Sequence, residues 1–164
     1  MEKLKTGLLI NAMIEYYQND KKRINHFLKV YGFAKAIGEN ENIPSDMQFI
    51  LQTAAVVHDI GIKISEEKYN SSAGEYQQVE GPPIAKVMLE KLGYDETVTG
   101  RVCFLIAHHH TYKNIEGIDY QILVEADFLV NIFEDNMDAD KIKRIKEKIF
   151  ITETGKRYLD LLYL

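Results

Sequence analysis

Three ionisable clusters stand where their neighbours are apolar. His26 shares a helical stripe with Val30, Phe33 and Ile37, His58-Asp59 closes the run Ala54-Ala55-Val56-Val57, and Asp127 lies among Leu123, Val124, Val130 and Asn131. An isolated buried carboxylate is costly to desolvate and needs a cation or strong hydrogen-bond donors. Two imidazoles and two carboxylates from three helices meet that need with one divalent ion, and oxygen and imidazole donors suit Mn, Fe, Mg, Co or Zn. Taken singly, each has a plainer role: His26 as a hydrogen-bonded core histidine, Asp127 as the partner of Arg101, His58-Asp59 as a polar helix end. The triplet His108-His109-His110 is the most unusual string. Adjacent helical residues point about 100° apart, so all three cannot face one ion unless the helix is ending, as Thr111 and Tyr112 suggest. Arg23 lies three residues before His26 on the same helix face, suited to a phosphate or to an ion pair with a nearby acid. Lys63, just past the His-Asp pair, is a candidate pocket residue or a surface lysine.

These residues need helices to position them, and the apolar spacing predicts helices throughout, with no internal repeat and no linker. A first covers roughly 3–18, with Leu4, Leu8 and Ala12 at helical spacing. Asp20 is placed to cap a second, apolar on most sides, that runs to Gly38. Ser45 follows Pro44 and can cap a third, which ends at Asp59 with Gly61 as its terminator. The polar stretch from Lys63 to Gln78 reads as a long loop. A fourth helix opens at Glu80-Gly81-Pro82-Pro83 and ends at Gly93. A fifth runs from about Asp95 to His109 and a sixth from Tyr120 to Phe133. One or two amphipathic helices follow, with Ile142, Ile145, Ile149, Tyr158, Leu161 and Leu162 as inner faces.

The chain has 164 residues, 46 % hydrophobic and 27 % charged, which suits one globular domain. Its net charge of −5 argues against a nucleic acid polymer as partner, since no basic field attracts the phosphate backbone. Met1 to Ile10 lacks the long apolar segment of a secretory leader, and no apolar run approaches the roughly 18 residues that span a bilayer. Cys103 is the single cysteine, which excludes an intrachain disulfide and a thiolate zinc site. It is expected to be a small buried apolar residue. A reducing cytoplasm fits these features.

The order of the polar clusters resembles the HD superfamily of metal-dependent phosphohydrolases: a first His, a His-Asp pair and a distant Asp, each on its own helix. The matching residues are His26 within Arg23-Ile24-Asn25-His26, His58-Asp59 within AAVVHDIGI, and Asp127 within LVEADFLVNI. The apolar run before the pair, Gly61 after it and Ala126 before the last Asp match too. The resemblance implies an all-α HD-domain helical bundle, a single domain over 1–164, with its metal-binding core at about 20–135 and C-terminal helices at about 138–164. It implies that His26, His58, Asp59 and Asp127 hold a divalent metal that activates water and polarises a phosphoryl oxygen. Asp59 then doubles as the residue that orients or deprotonates the water, and Arg23 holds substrate phosphate.

Dinuclear members of the superfamily add ligands between the pair and the last Asp. Here the first such position is assigned to Glu80, a carboxylate where a His is usual, and the later ones to His109 and His110, with His108 the less favoured. One or two ions are therefore expected. The glycine-tyrosine-proline extension of the cyclic-dinucleotide branch is missing, since Tyr112-Lys113-Asn114 follows the histidines, so that activity does not carry over. The expected substrate is a small phosphorylated metabolite or a nucleotide. The alternatives are a di-iron oxygenase of the same superfamily and a non-catalytic module that binds a nucleotide. The C-terminal amphipathic segments pack on their own core or on a second copy, as in a homo-oligomer.

Overall fold

The computed structural model describes residues 2–164, and among these residues the chain forms nine helices and no strand. They are α1 (Glu2–Tyr16), α2 (Lys21–Asn40), α3 (Ser45–Val57), α4 (Ile62–Tyr69), α5 (Gly74–Lys91), α6 (Glu96–His108), α7 (Ile118–Glu134), α8 (Ala139–Ile149) and α9 (Glu153–Tyr163). Met1 lies outside the described residues, as does the side chain of Leu4. None of these helices is long and apolar enough to cross a membrane.

Local chemistry sets most of the boundaries. Asp20 accepts the Arg23 N–H at the start of α2, and Asp95, Asp138 and Thr152 cap α6, α8 and α9 in the same way. Ser45 does not cap α3: Pro44 occupies the N-cap position and makes no side-chain bond.

The stretch expected as a loop is mostly helical. Ile62 and Ser65 turn inward and Ile64 is half-buried, while the rest of α4 faces solvent, so its polar composition marks a wet face rather than an irregular segment. Asn70, left-handed at φ 51°, ends it. The next helix starts at Gly74, so Pro82 and Pro83 lie inside α5 rather than in its first turn. Gly61 is not a left-handed terminator either, since its φ is −75°. A Cβ there would lie 2.7 Å from the Gln77 carbonyl and 2.8 Å from the Gly81 nitrogen, so glycine allows the α5 backbone to cross directly over the His-Asp turn.

The core is built around α7, buried on nearly every side from Asp119 to Val130, which packs on α2 and α3 and is covered by α9. The buried carboxylate of Glu125 ties the last helix down, accepting from Gln121 Nε2 at 2.6 Å, the Thr152 hydroxyl at 2.7 Å and the N–H groups of Ile151 and Thr152. Gly155 packs so close to this carboxylate that a Cβ would lie 1.9 Å from Glu125 Oε1. That contact fixes the inner face of α9 on Gly155 and Leu159, so Leu161 and Leu162, expected inside, are 72 % and 51 % exposed. Cys103 is half-buried rather than buried, with Sγ 3.5 Å from the Pro82 carbonyl.

Candidate metal centre

The fold brings His26 from α2, His58-Asp59 from the end of α3 and Asp127 from α7 to one point. His26, His58 and Asp127 are buried, and Asp59 is only 9 % exposed. The end of α1 braces the His-Asp turn: the Tyr17 hydroxyl donates to the Asp59 carbonyl at 2.6 Å and the Tyr16 hydroxyl to the Ile60 carbonyl at 3.2 Å. His26 Nε2 lies 3.1 Å from Asp59 Oδ2, 3.1 Å from Asp127 Oδ1 and 3.2 Å from His58 Nε2. His58 Nε2 lies 3.3 Å from Asp59 Oδ2 and 3.4 Å from Asp127 Oδ1. Ligands about 2.1 Å from one ion, at angles of about 90° to 110°, are about 3.0 to 3.4 Å apart. Each imidazole Nε2 keeps that spacing to the other and to both carboxylates, an arrangement that fits a divalent cation.

The ring orientations fit as well. A carbonyl can only accept, so His58 Nδ1 donates to the Ala55 carbonyl at 2.7 Å and His109 Nδ1 to the Ile106 carbonyl at 2.8 Å. On His26 the Nδ1 edge faces both oxygens of Glu134, at 3.1 and 3.0 Å. With Nδ1 engaged in each ring, Nε2 is the atom left for a ligand.

The electrostatics reflect a crowded pair of buried carboxylates. Burial opposes charge on His26, yet hydrogen bonds to Asp127 and Asp59 outweigh it and push the imidazole up to about 11. Burial likewise opposes charge on His58, but the Asp59 charge and bonds to both carboxylates raise it to about 10. Burial alone would raise both aspartates, but the neighbouring imidazoles hold them well below the usual carboxylate range. The site attracts positive charge, as protons or as a metal ion.

A second group adjoins the first. Asp59, His109 and His110 present ligand atoms close enough to share an ion. Asp59 offers a different oxygen to each group: Oδ2 faces His26 and His58, while Oδ1 lies 3.4 Å from His109 Nε2. Burial, then the neighbouring His109, pushes His110 down to about 4. His108 points elsewhere, donating from Nδ1 to the Phe104 carbonyl and stacking on the Phe104 ring.

Above these groups lies a cleft of about 300 Å³ whose walls include Lys22, Arg23, Ser72, Gln77, His110 and Glu134. A larger groove of about 700 Å³, between α1 and α5, contains none of the clustered histidines or aspartates, so chemistry rather than volume locates the site. Arg23 reaches the cleft and also pairs with Glu66 at 2.6 Å. Arg101, the sequence alternative as partner of Asp127, pairs instead with Asp119 and Glu116.

Two expected residues are not brought to the cleft. Lys63 lies on the outer side of α4, with Nζ 5.0 Å from the Tyr16 ring centroid and 3.4 Å from the Tyr16 carbonyl, because Ile62 takes the inward position. Glu80 turns to Lys68 and Tyr69, at 3.0 and 2.8 Å. The early start of α5 puts Gln77, not Glu80, on the cleft face. Gln77 and Glu134 are the residues that sequence reasoning missed. Glu134 carries a readable signal, since seven residues after Asp127 is two helical turns and the same face.

The HD domain family profile matches residues 23–150. In fold the chain is similar to a crystal structure described as a predicted HD superfamily hydrolase from an uncultured Thermotogales bacterium, with a TM-score of 0.66 and 22 % sequence identity, covering 93 % of this chain and 81 % of that chain. No curated protein matches the sequence.

Proposed function

The chain belongs to the HD domain family, and on that premise we propose that it is a metal-dependent phosphohydrolase, cleaving a phosphate ester or anhydride of a small metabolite or nucleotide. The observation that carries this reading is the pair of imidazoles His26 and His58, whose Nε2 atoms lie 3.1 to 3.4 Å from each other and from one oxygen each of Asp59 and Asp127. A divalent ion bound there supplies a water of lowered pKa and a Lewis acid for a phosphoryl oxygen. Asp59, the one ligand shared between both donor groups, orients the attacking water. Arg23 and Lys22 at the cleft wall hold the substrate phosphate, the guanidinium leaving Glu66 to form a charge-assisted pair with it.

The test is a screen of manganese- and iron-loaded protein against nucleotides and phosphorylated metabolites, with Asp59→Asn as the control. Release of inorganic phosphate by the wild type, lost in the variant, supports the reading. Metal-loaded protein that leaves the whole panel intact overturns it.

A further inference from the structure

The strongest unexplained feature lies beside the four-donor seat. His109 Nε2 is fully buried and makes no hydrogen bond. Its Nδ1–H is spent on the Ile106 carbonyl, and Nε2 faces a carboxylate oxygen, Asp59 Oδ1, 3.4 Å away. A buried imidazole nitrogen facing a carboxylate oxygen calls for positive charge between them, a proton or a metal ion.

Gln77, 5 % exposed, lines the same cleft as Asp59 and His110. Its amide is oriented by its surroundings: Nε2 donates to the Ser72 carbonyl at 2.6 Å, which leaves Oε1 to accept from His110 Nε2–H at 3.1 Å, a proton that a cation in the seat would displace. The His110 ring is clamped in turn, with the Gly74 backbone packed so tightly on it that a Cβ there would lie 2.7 Å from its Cγ. The separation of Oε1 and Nε2 matches that of neighbouring ligands on one ion, about 3.0 to 3.4 Å.

We infer that the amide oxygen of Gln77 completes a second cation seat with Asp59 Oδ1, His109 and His110, and that this neutral oxygen makes the seat the looser of the two. The inference rests on the metal-binding reading of the first seat. That seat has the carboxylates of both Asp59 and Asp127, whereas the second shares Asp59 and has no carboxylate of its own. An amide oxygen is a hard but uncharged ligand, so the second ion binds with less electrostatic gain. Loading is then sequential, the first seat filling before the second.

Calorimetric titration of the chelator-stripped full chain with Mn²⁺ tests this. Two steps are expected, the second weaker by about tenfold or more. Gln77→Glu, nearly the same shape with a charge added, tightens the second step by about tenfold or more and leaves the first unchanged. Gln77→Leu, its fold checked by circular dichroism, loses the second step and keeps the first. A single step in both the wild type and Gln77→Glu overturns the inference, as does a second step indifferent to both substitutions. Failure of the first seat reads differently: no Mn²⁺ binds at all, or Asp127→Asn leaves the first step intact.

Discussion

The carboxylate of Glu134 holds the Nδ1 edge of His26 with both oxygens, at 3.1 and 3.0 Å. Such a carboxylate behind a metal-binding imidazole fixes its tautomer and raises its basicity. Glu134→Ala should therefore weaken binding of the first Mn²⁺ by about 10- to 100-fold, with Glu134→Gln, which keeps an acceptor but loses the charge, in between. Titration calorimetry on folded variants checks this, and unchanged affinity in Glu134→Ala would remove Glu134 from the site.

Proton and metal compete for the same imidazoles, which gives a pH signature. His26 and His58 are raised to about 11 and about 10. For a base raised on folding, the stability gained is fully present below the unfolded value, about 6.5, and is lost as pH rises through the folded one. Protein stripped with EDTA should therefore lose thermal stability from about pH 6.5 upward. Metal-loaded protein, whose ligands are already deprotonated, should stay nearly level above about pH 6.5, so the gap between the two melting curves widens with pH. Stripped protein that grows more stable over pH 7 to 9 would contradict the proton-sharing cluster.

Arg23 and Lys63 are both cationic candidates, and their positions separate them, since only Arg23 lines the cleft. Arg23→Ala should raise KM for a phosphorylated substrate by about 10- to 100-fold, the value of a hydrogen bond to a charged group. Lys63→Ala should leave both kcat and KM unchanged. Steady-state kinetics on the two variants decides this, and a larger loss in Lys63→Ala would mean that α4 moves during turnover.

Glu125 serves the fold. Its buried carboxylate accepts from Gln121, Ile151 and Thr152, and Glu125→Ala would leave those donors unsatisfied at a cost of about 3 kcal/mol. In a domain of this size that lowers Tm by roughly 6 to 12 °C. Thermal melts check it, and a fall of under 2 °C would mean that water replaces the carboxylate without penalty.

What was legible in the sequence follows from where the signals are local. His26, His58, Asp59 and Asp127 announced themselves because ionisable residues interrupt apolar helical stripes, and the helical fold class followed from the same periodicity. Gln77 gave no such signal, since an amide in a polar stretch looks like surface. Its position depends on α5 starting at Gly74 and on Gly61 letting that helix cross the His-Asp turn, a contact between distant segments that no local pattern encodes. The same shift turned Glu80 outward. The inner face of α9 is hidden for a related reason: the Gly155–Glu125 contact, not hydropathy, selects it.

The pairing of His26 with Asp127 joins residues 101 positions apart in the chain. A shared ion there would act as a cross-link, closing most of the polypeptide into one loop, as a long-range disulfide does. With an ion bound there, parting α2 from α7 would also mean losing ligands, so opening of the core would be coupled to release of the ion. A bound ion would then slow unfolding, and a chain cut in the loops between those helices would hold together more tightly with the ion than without it.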